Sequence, residues 1–292
     1  MSNPLRAFSG QVSVWGRKIG PGRFIWRTLQ RQVAKRILRR DLALHLPNHR
    51  TVWLPRTSAF SSVAWVMQGQ VDDGSETVLH NLHPPRSGFC DVGAHFGFYA
   101  VWMSDVASKV YAFEPDPRLH PALDRNLGGL ANGCAVRAAL TRESGSVSFI
   151  QAESAPHSKI GTESDRADGD RRIEVPAMRL DDFWVREGRP MIGSMKLDTE
   201  GHEASVLAGG AECIRACRPL ILVETEAREL CKYWPAFQPL GYQLGLLTDK
   251  RVGRPTGCWF GQPDKVPLSS GMLFLVPPTI AEADFRLCVS RL

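Results

Sequence analysis

The stretch DVGAHFGFY, residues 91–99, follows directly on the apolar residues GFC at 88–90 and precedes a helical pattern. Glycines at positions 93 and 97 permit a tight turn and the close approach of a ligand to the backbone. In open α/β sheets, ligands bind beyond the carboxyl ends of the strands, beside a turn of this kind. The stretch therefore predicts an α/β fold with a ligand site at the end of this strand.

Further apolar bursts follow at 110–114, 134–138, 193–198 and 220–224, each typical of a buried parallel strand. Helical patterns fill the gaps, at roughly 97–107, 119–130, 202–216 and 226–234. This alternation predicts a Rossmann-like, doubly wound and mostly parallel sheet. Two later bursts, at 242–247 and 272–276, are candidates for its last strands.

Two short β-prone pieces, 146–150 and 172–177, flank a polar segment with almost no large apolar side chains. Such a composition is typical of a loop. Long loops inside compact domains tend to be lids or binding loops. We favour a substrate lid at 151–172, with an inert insertion as the alternative.

Residues 23–40 predict a basic amphipathic helix. An ordinary packed helix with a solvated basic face is the favoured interpretation, and contact with an anionic membrane surface is the alternative. The predicted organisation is a basic N-terminal helical extension at 1–75 and one enzyme domain at 76–292. The apolar stripe of the helix holds Ile25, Leu29, Val33 and Ile37, and the basic stripe holds Arg27, Arg31, Lys35 and Arg39.

The composition, with 43% hydrophobic and 23% charged residues, is that of a globular protein with a sizeable core. No apolar run reaches the length of about 18 residues that spans a membrane, and no signal peptide is evident. The seven cysteines form no C-x-x-C pair, so neither a zinc site nor a redox dithiol is predicted. A cytoplasmic protein is the simplest expectation.

The loop that carries Gly93 and Gly97, here called the glycine loop, indicates which nucleoside-containing cofactor it would hold. A dinucleotide fingerprint carries a middle glycine that lets the backbone reach a pyrophosphate, and His95 occupies that position here. S-adenosylmethionine has no pyrophosphate, so the loop fits it better than NAD. Asp91 at the strand tip suits the ammonium of that cofactor, and free helix N–H groups suit its carboxylate.

The next strand ends in Glu114, followed by Pro115. A carboxylate at the tip of the second strand, about 20 residues beyond the glycine loop, accepts the ribose hydroxyls in nucleoside-binding folds. Glu114 therefore supports an adenosine site without excluding NAD.

A third cluster, KLDTEGHE at 196–203, ends the fourth strand. Helix capping with a neutralising lysine is one interpretation. The sharper one is a general base for methyl transfer to a hydroxyl, with Asp198, Glu200 and His202 as candidates. Asp198 with Glu224 offers only two carboxylates to a cation, so no metal is predicted.

Together, DVGAHFGFY, AFEPDP, the AAL segment at 138–140, KLDTEGHE and ILVE resemble the FkbM family of methyltransferases, in order from about Glu76 to Pro277. The resemblance implies a class I methyltransferase fold, S-adenosylmethionine as donor, and O-methylation of a hydroxyl on a sugar, polyketide or related small molecule. Thr199 stands in place of the family's usual Val, and His95 where the family more often has Asn. The resemblance implies Asp91, Gly93, Gly97 and Glu114 as cofactor-binding residues, and we predict that His95 and Ala139 complete the cofactor site.

Two other functions compete with this one. The basic helix would suit a nucleic-acid methyltransferase, but the Asn- or Asp-Pro-Pro-aromatic tetrapeptide that holds a flipped base does not follow the fourth strand. Nucleic acid is therefore a disfavoured partner. The third hypothesis is a non-catalytic protein that binds the cofactor, because a fold alone does not establish activity.

Overall fold

The computed structural model describes residues 19–152, 158–161, 167, 169–248, 257–262 and 270–292. Its strands are short and begin or end within one or two residues of most of the apolar bursts in the sequence. In chain order they are β1 (Leu42–His45), β2 (Thr51–Leu54), β3 (Gly88–Val92), β4 (Lys109–Phe113), β5 (Gly133–Val136), β6 (Ala139–Leu140), β7 (Gly145–Gln151), β8 (Lys159–Ile160), β9 (Arg171–Met178), β10 (Ile192–Leu197), β11 (Leu220–Glu226), β12 (Gln243–Thr248), β13 (Gly257–Gly261) and β14 (Ser270–Val276).

The helices occupy the predicted gaps and also regions where none was predicted. They are α1 (Pro21–Gln32), α2 (Phe60–Val66), α3 (Ser75–Asn81), α4 (Phe98–Trp102), α5 (His120–Leu127), α6 (Leu180–Arg186), α7 (Glu203–Gly209), α8 (Ala211–Cys217), α9 (Ala227–Phe237) and α10 (Glu282–Ser290). A π-helical turn, Val33–Ile37, continues α1, and a 3-10 turn, Gln238–Leu240, follows α9. Within the described ranges, no helix is both long and apolar enough to cross a membrane.

A central sheet holds eight of the described strands, in the order β13-β12-β14-β11-β10-β3-β4-β5. The five strands from β11 to β5 pair in parallel, and β14, β12 and β13 add antiparallel pairs at one end. The Rossmann-like, mostly parallel sheet predicted from the sequence is thereby confirmed. The glycine-loop strand β3 lies beside β10, so the strand tips that carry the acidic motifs are neighbours.

Both faces of the central sheet are buried. Alternate residues of a strand point to opposite faces, and Phe89 and Leu222 enter one hydrophobic cluster while Cys90 and Val223 enter another. Helices cover each cluster, which is why the strands read as continuous apolar runs and not as alternating ones. Loops at the carboxyl ends of the strands are left to form a site.

A second sheet in the described residues has the order β6-β9-β7-β8. The two β-prone pieces of the sequence, which became β7 and β9, pair antiparallel with Phe149 opposite Ile173. Within the predicted lid at 151–172, the short strand β8 pairs with β7. Residues 153–157, 162–166 and 168 of that segment lie outside the described residues, so the lid stays a prediction.

The N-terminal part of the chain packs on the central sheet. Leu44 and Leu54 of the β1–β2 hairpin belong to the same hydrophobic cluster as Phe89. Asn126 of α5 fixes the hairpin, because it accepts the Trp53 N–H at 2.7 Å and donates to the Trp53 carbonyl at 3.0 Å. The predicted extension and the sheet therefore share one core, and the boundary proposed at residue 76 stays a prediction.

Helix α1 is oriented opposite to the favoured expectation. Arg31 of the basic stripe is 1% exposed, whereas Ile25, Leu29 and Ile37 of the apolar stripe are 50%, 53% and 72% exposed. The interpretation of an ordinary packed helix with a solvated basic face was wrong, because Arg31 donates hydrogen bonds to acceptors distant in the sequence, and these bonds determine which side faces inward.

Candidate active site

A cavity of about 330 Å³ opens at the carboxyl ends of β3, β4, β10 and β11. Its size is that of a small-molecule site. Apolar side chains from the second sheet and from the N-terminal part complete its wall. The ionisable side chains that line it are Asp72, Asp91, His95, Tyr99, Glu114, Lys196, Asp198, Glu200 and Glu224.

The glycine loop gives the cavity its floor, and its glycines serve packing. Gly93 has φ +73°, and a Cβ there would lie 1.9 Å from the carbonyl oxygen of Asp198, so only glycine lets β3 and β10 end this close together. Gly97 has φ +85° and a Cβ there would lie 2.9 Å from Leu123 and Leu127. Gly97 is not among the cavity-lining residues; it lets α4 pack on α5.

Two side chains of this loop carry buried polar atoms with no partner in the described part of the chain: Asp91 Oδ1 and both ring nitrogens of His95. The other oxygen of Asp91 accepts the Ala100 N–H at 2.9 Å. Burial raises the pKa of Asp91 to about 6 and lowers that of His95 to about 4. Because buried polar groups are normally satisfied, these atoms indicate where a polar ligand would bind.

Glu114 is fixed by main-chain donors. Its Oε2 accepts the His95 N–H at 2.8 Å and its Oε1 accepts the Asp116 N–H at 2.7 Å. Burial raises its pKa to about 8. Each oxygen keeps a further lone pair for a donor on a ligand, and the neighbouring wall is apolar, including Leu140 and Phe149.

A charged cluster faces the loop from β10 and β11. Lys196 Nζ lies 3.0 Å from Asp198 Oδ2 and donates to the Gly93 carbonyl at 3.2 Å. Burial alone would lower the pKa of Lys196, but Asp198 and Asp91 outweigh it and raise that pKa to about 12. Burial opposes ionisation of Asp198 as well, and Lys196 reverses this and holds the pKa of Asp198 below its ordinary value.

Glu224 lies beside Asp198 at the tip of β11. Although it is exposed to the cavity, partial burial, the negative charge of Asp198 and a hydrogen bond with Asp198 raise its pKa to about 8. The pair therefore consists of one ionised carboxylate and one carboxyl that titrates near neutrality. Across the described residues, no group of three or more His, Cys, Asp or Glu side chains is placed to hold a metal ion.

Sequence reasoning missed Asp72, which enters the cavity from the segment before α3. The Tyr99 hydroxyl donates to its carboxylate, and burial raises the pKa of Asp72. Its N–H donates to the fully buried Glu76 at 3.3 Å. No local signal marks these acids, because two aspartates before a glycine and a helix read as an ordinary helix start.

Most of the predicted site residues line this cavity. The exceptions are Gly97 and His202, which precedes α7 and does not line the cavity. Glu203 holds the turn before α7, accepting the Thr199 N–H at 2.9 Å and the Gly201 N–H at 3.1 Å. The predicted residues that line the cavity are Asp91, Gly93, His95, Glu114, Ala139, Asp198 and Glu200.

The model of the methyltransferase FkbM domain matches residues 91–243. The hexuronic acid methyltransferase AglP of Haloferax volcanii is 32% identical over 140 residues, covering 47% of this chain and 55% of the relative. This chain thus spans about half the length of that relative.

The 2-O-methyltransferase NoeI of Sinorhizobium fredii is 27% identical over 170 residues, covering 52% of this chain and 69% of the relative. Among solved structures, a methyltransferase FkbM from Methylobacillus flagellatus aligns with a TM-score of 0.40 at 14% identity. That alignment covers 75% of this chain and 56% of the other.

Proposed function

Because this chain belongs to the FkbM methyltransferase family, we propose that it transfers a methyl group from S-adenosylmethionine to a hydroxyl oxygen of a sugar or related small molecule. The observation that carries the proposal is the set of acidic side chains from β3, β4, β10 and β11 around one cavity. A cofactor with an ammonium, a sulfonium and two ribose hydroxyls offers cations and donors to such a set.

The residues present fit this cofactor. Glu114, held by two main-chain N–H groups, would accept the ribose hydroxyls beside the apolar wall. The unpaired Oδ1 of Asp91 would accept the ammonium. Burial keeps His95 neutral, since its pKa is about 4, and Asp198 neutralises Lys196. Asp91 is ionised above its pKa of about 6, and this negative charge on the cavity wall favours a sulfonium cation.

When bound, the cofactor supplies a methyl group on a positively charged sulfur: the acceptor oxygen bonds to the methyl carbon as the carbon–sulfur bond breaks, and that electron pair stays on sulfur. The acceptor hydroxyl must lose its proton in the same process. A base works best with a pKa near the working pH, and Glu224, with a pKa of about 8, meets this condition better than the strongly paired Asp198. We assign the proton to Glu224.

Asp198, in this assignment, sets the basicity of Glu224 through its negative charge. Glu200 also lines the cavity and would contact the acceptor. Alignment of the two reactants contributes further, because oriented attack removes several kcal/mol of entropic barrier. The alternative is the assignment made from the sequence, in which the base is Asp198, Glu200 or His202. Mutagenesis distinguishes these residues from Glu224.

The acceptor class rests on the relatives. One is by name a hexuronic acid methyltransferase and another a 2-O-methyltransferase, which supports a sugar hydroxyl as acceptor. Direct support requires methyl transfer to a defined compound.

Two measurements test the proposal. Calorimetric titration with S-adenosylhomocysteine, with NAD as control, is expected to show saturable binding of the homocysteine compound alone. Transfer of labelled methyl groups is then measured on a panel of uronic acids, neutral sugars and their deoxy analogues. We expect labelling that requires one particular hydroxyl. Binding of NAD instead, or of neither compound, contradicts the cofactor assignment, and labelling that persists in every deoxy analogue or falls on a uronic acid carboxylate contradicts the acceptor assignment.

A further inference from the structure

Large apolar side chains are exposed together at the N-terminal helix. Of the eight large hydrophobic residues that are strongly exposed among the described residues, five lie between positions 25 and 38, and the other three are scattered. Single exposed apolar residues are ordinary, but a contiguous group marks a contact surface. The five are Ile25, Trp26, Leu29, Ile37 and Leu38.

Hydrogen bonds fix this orientation of the helix. Arg31 Nη2 donates to the Pro55 carbonyl at 2.7 Å, and its Nε donates to Ser62 Oγ at 3.3 Å. Arg27 Nε donates to the Trp65 carbonyl at 2.7 Å, and its guanidinium lies 4.5 Å from the centre of the Trp65 ring. Rotating the helix to bury its apolar side would break these bonds, so the apolar side faces outward.

The charge beside the apolar residues has one sign. Residues 19–40 contain seven arginines and lysines and no aspartate or glutamate. Arg23 lies in the first turn of α1, and Arg36, Arg39 and Arg40 flank Ile37 and Leu38 in the sequence; all four arginines are exposed. A second copy of this surface would bring like charges together, and a nucleic acid would leave the two isoleucines and two leucines without a partner. An anionic lipid layer satisfies both the apolar and the cationic side chains.

We propose that residues 23–40 dock on a lipid surface that carries anionic headgroups. The docking face inserts its apolar side chains at the level of the headgroups while the arginines pair with lipid phosphates. It consists of Arg23, Ile25, Trp26, Leu29, Arg36, Ile37, Leu38, Arg39 and Arg40.

Docking would bring the lipid surface close to the cavity. Helix α1 packs on α2 through Arg27 and Arg31, and Phe60 and Val63 of α2 line the cavity. Helix α2 thus lies between the cavity and helix α1, which carries the docking face. The proposal about lipid does not rest on methyl transfer, so the two can fail independently.

Co-sedimentation of the full chain with vesicles tests the docking face. We expect binding to phosphatidylcholine vesicles that contain about 30% phosphatidylglycerol and little binding to phosphatidylcholine alone, because each arginine near an anionic surface contributes about fivefold in affinity. Binding is expected to fall strongly near 1 M salt, where charges are screened within about 3 Å.

Two variants separate the apolar and the cationic contributions. Trp26→Ser with Leu29→Ser, and Arg36→Gln with Arg40→Gln, are each expected to weaken vesicle binding by about tenfold or more. The matched control is Met191→Ser with Leu287→Ser, which removes two exposed apolar side chains elsewhere and is expected to leave vesicle binding unchanged.

Several results would overturn the proposal. They are absence of vesicle binding by the full chain, equal weakening in the Met191 and Leu287 control, or a dimer in sedimentation velocity that Trp26→Ser with Leu29→Ser dissociates. Salt-dependent oligonucleotide binding without vesicle binding would likewise favour nucleic acid. Vesicle binding together with failed S-adenosylhomocysteine binding would refute only the proposed function.

Discussion

The two ends of the cavity hold their carboxylates in different ways. At the β4 end, Glu114 accepts two main-chain N–H groups, from His95 and Asp116. At the β10–β11 end, Asp198 is held by the side chains of Lys196 and Glu224. Main-chain donors cannot change their charge, whereas side-chain partners can gain or lose a proton.

This difference separates a recognition site from a proton-transfer site. A carboxylate fixed by the backbone offers a constant geometry to ligand hydroxyls. A carboxylate pair fixed by ionisable partners has a pKa that depends on each neighbour, as the raised pKa of Glu224 beside Asp198 shows. We therefore expect substitutions at the β4 end to change affinity and those at the β10–β11 end to change rate.

The largest effect is expected from Glu224→Gln. The variant keeps the shape of the side chain but cannot take the acceptor proton, so kcat should fall by about 10²–10⁴ while affinity for S-adenosylhomocysteine is retained. Steady-state kinetics and calorimetry measure the two. Glu229→Gln, on the surface of α9 beside Lys232, is the matched control. Unchanged kcat in Glu224→Gln, with a large loss in Glu200→Gln or His202→Gln, would move the base to that residue.

A smaller loss, in affinity and not in rate, is expected from Glu114→Gln. The amide NH₂ would face one of the two main-chain donors, and a buried donor left without an acceptor costs about 1–3 kcal/mol. Calorimetry should show S-adenosylhomocysteine binding weakened by about 10- to 100-fold. Glu143→Gln, at an exposed turn, serves as control. A change in kcat without a change in affinity would contradict the expected difference between the β4 end and the β10–β11 end of the cavity.

The pH dependence of kcat gives an effect of about tenfold. The rate should rise with pH as Glu224 loses its proton, with a midpoint near its pKa of about 8. Asp198→Asn removes the negative charge that raises this pKa, so the midpoint should move to lower pH by about one unit. A midpoint that stays in place in Asp198→Asn would show that the pair does not control proton transfer.

The smallest effect concerns stability beneath the cavity. Burial, followed by the charge of Asp72, raises the pKa of Glu76 to about 8, so its protonated form stabilises the fold fully below about pH 4.5. That contribution is lost as the pH rises through 8. Thermal denaturation should therefore show Tm falling between pH 6 and 9. Glu76→Gln should reduce this fall by about 2–4 °C for each kcal/mol of pH-dependent stability that the substitution removes. An identical pH dependence in the variant would contradict the assignment.

Much of the site could be predicted because its residues follow the strands directly. Apolar runs located β3, β4 and β10, and the carboxyl ends of neighbouring parallel strands lie at one edge of a sheet. Asp91, Glu114 and Asp198 were therefore expected together, and all three line the cavity. Both glycines also allow elements to pack closely, Gly93 between β3 and β10 and Gly97 between α4 and α5, and Gly93 lines the cavity as well.

Other features could not be predicted from the sequence because they depend on residues that are distant in the chain. Asp72 reaches the cavity only because the N-terminal part packs on the sheet and Tyr99 binds its carboxylate. The face that α1 buries is decided by acceptors at Pro55 and Ser62, not by its own periodicity. Periodicity shows that a helix has two faces, but not which of them meets the protein.

The sequence by itself determined the order of the five parallel strands and the acidic residues at their tips, because hydrophobic periodicity and turn residues act locally along the chain. Only the tertiary structure decided the protonation of Glu224, the entry of Asp72 into the cavity and the outward face of α1. Burial and electrostatic interactions depend on how close residues are in space, and residues far apart in the chain become neighbours only when it folds.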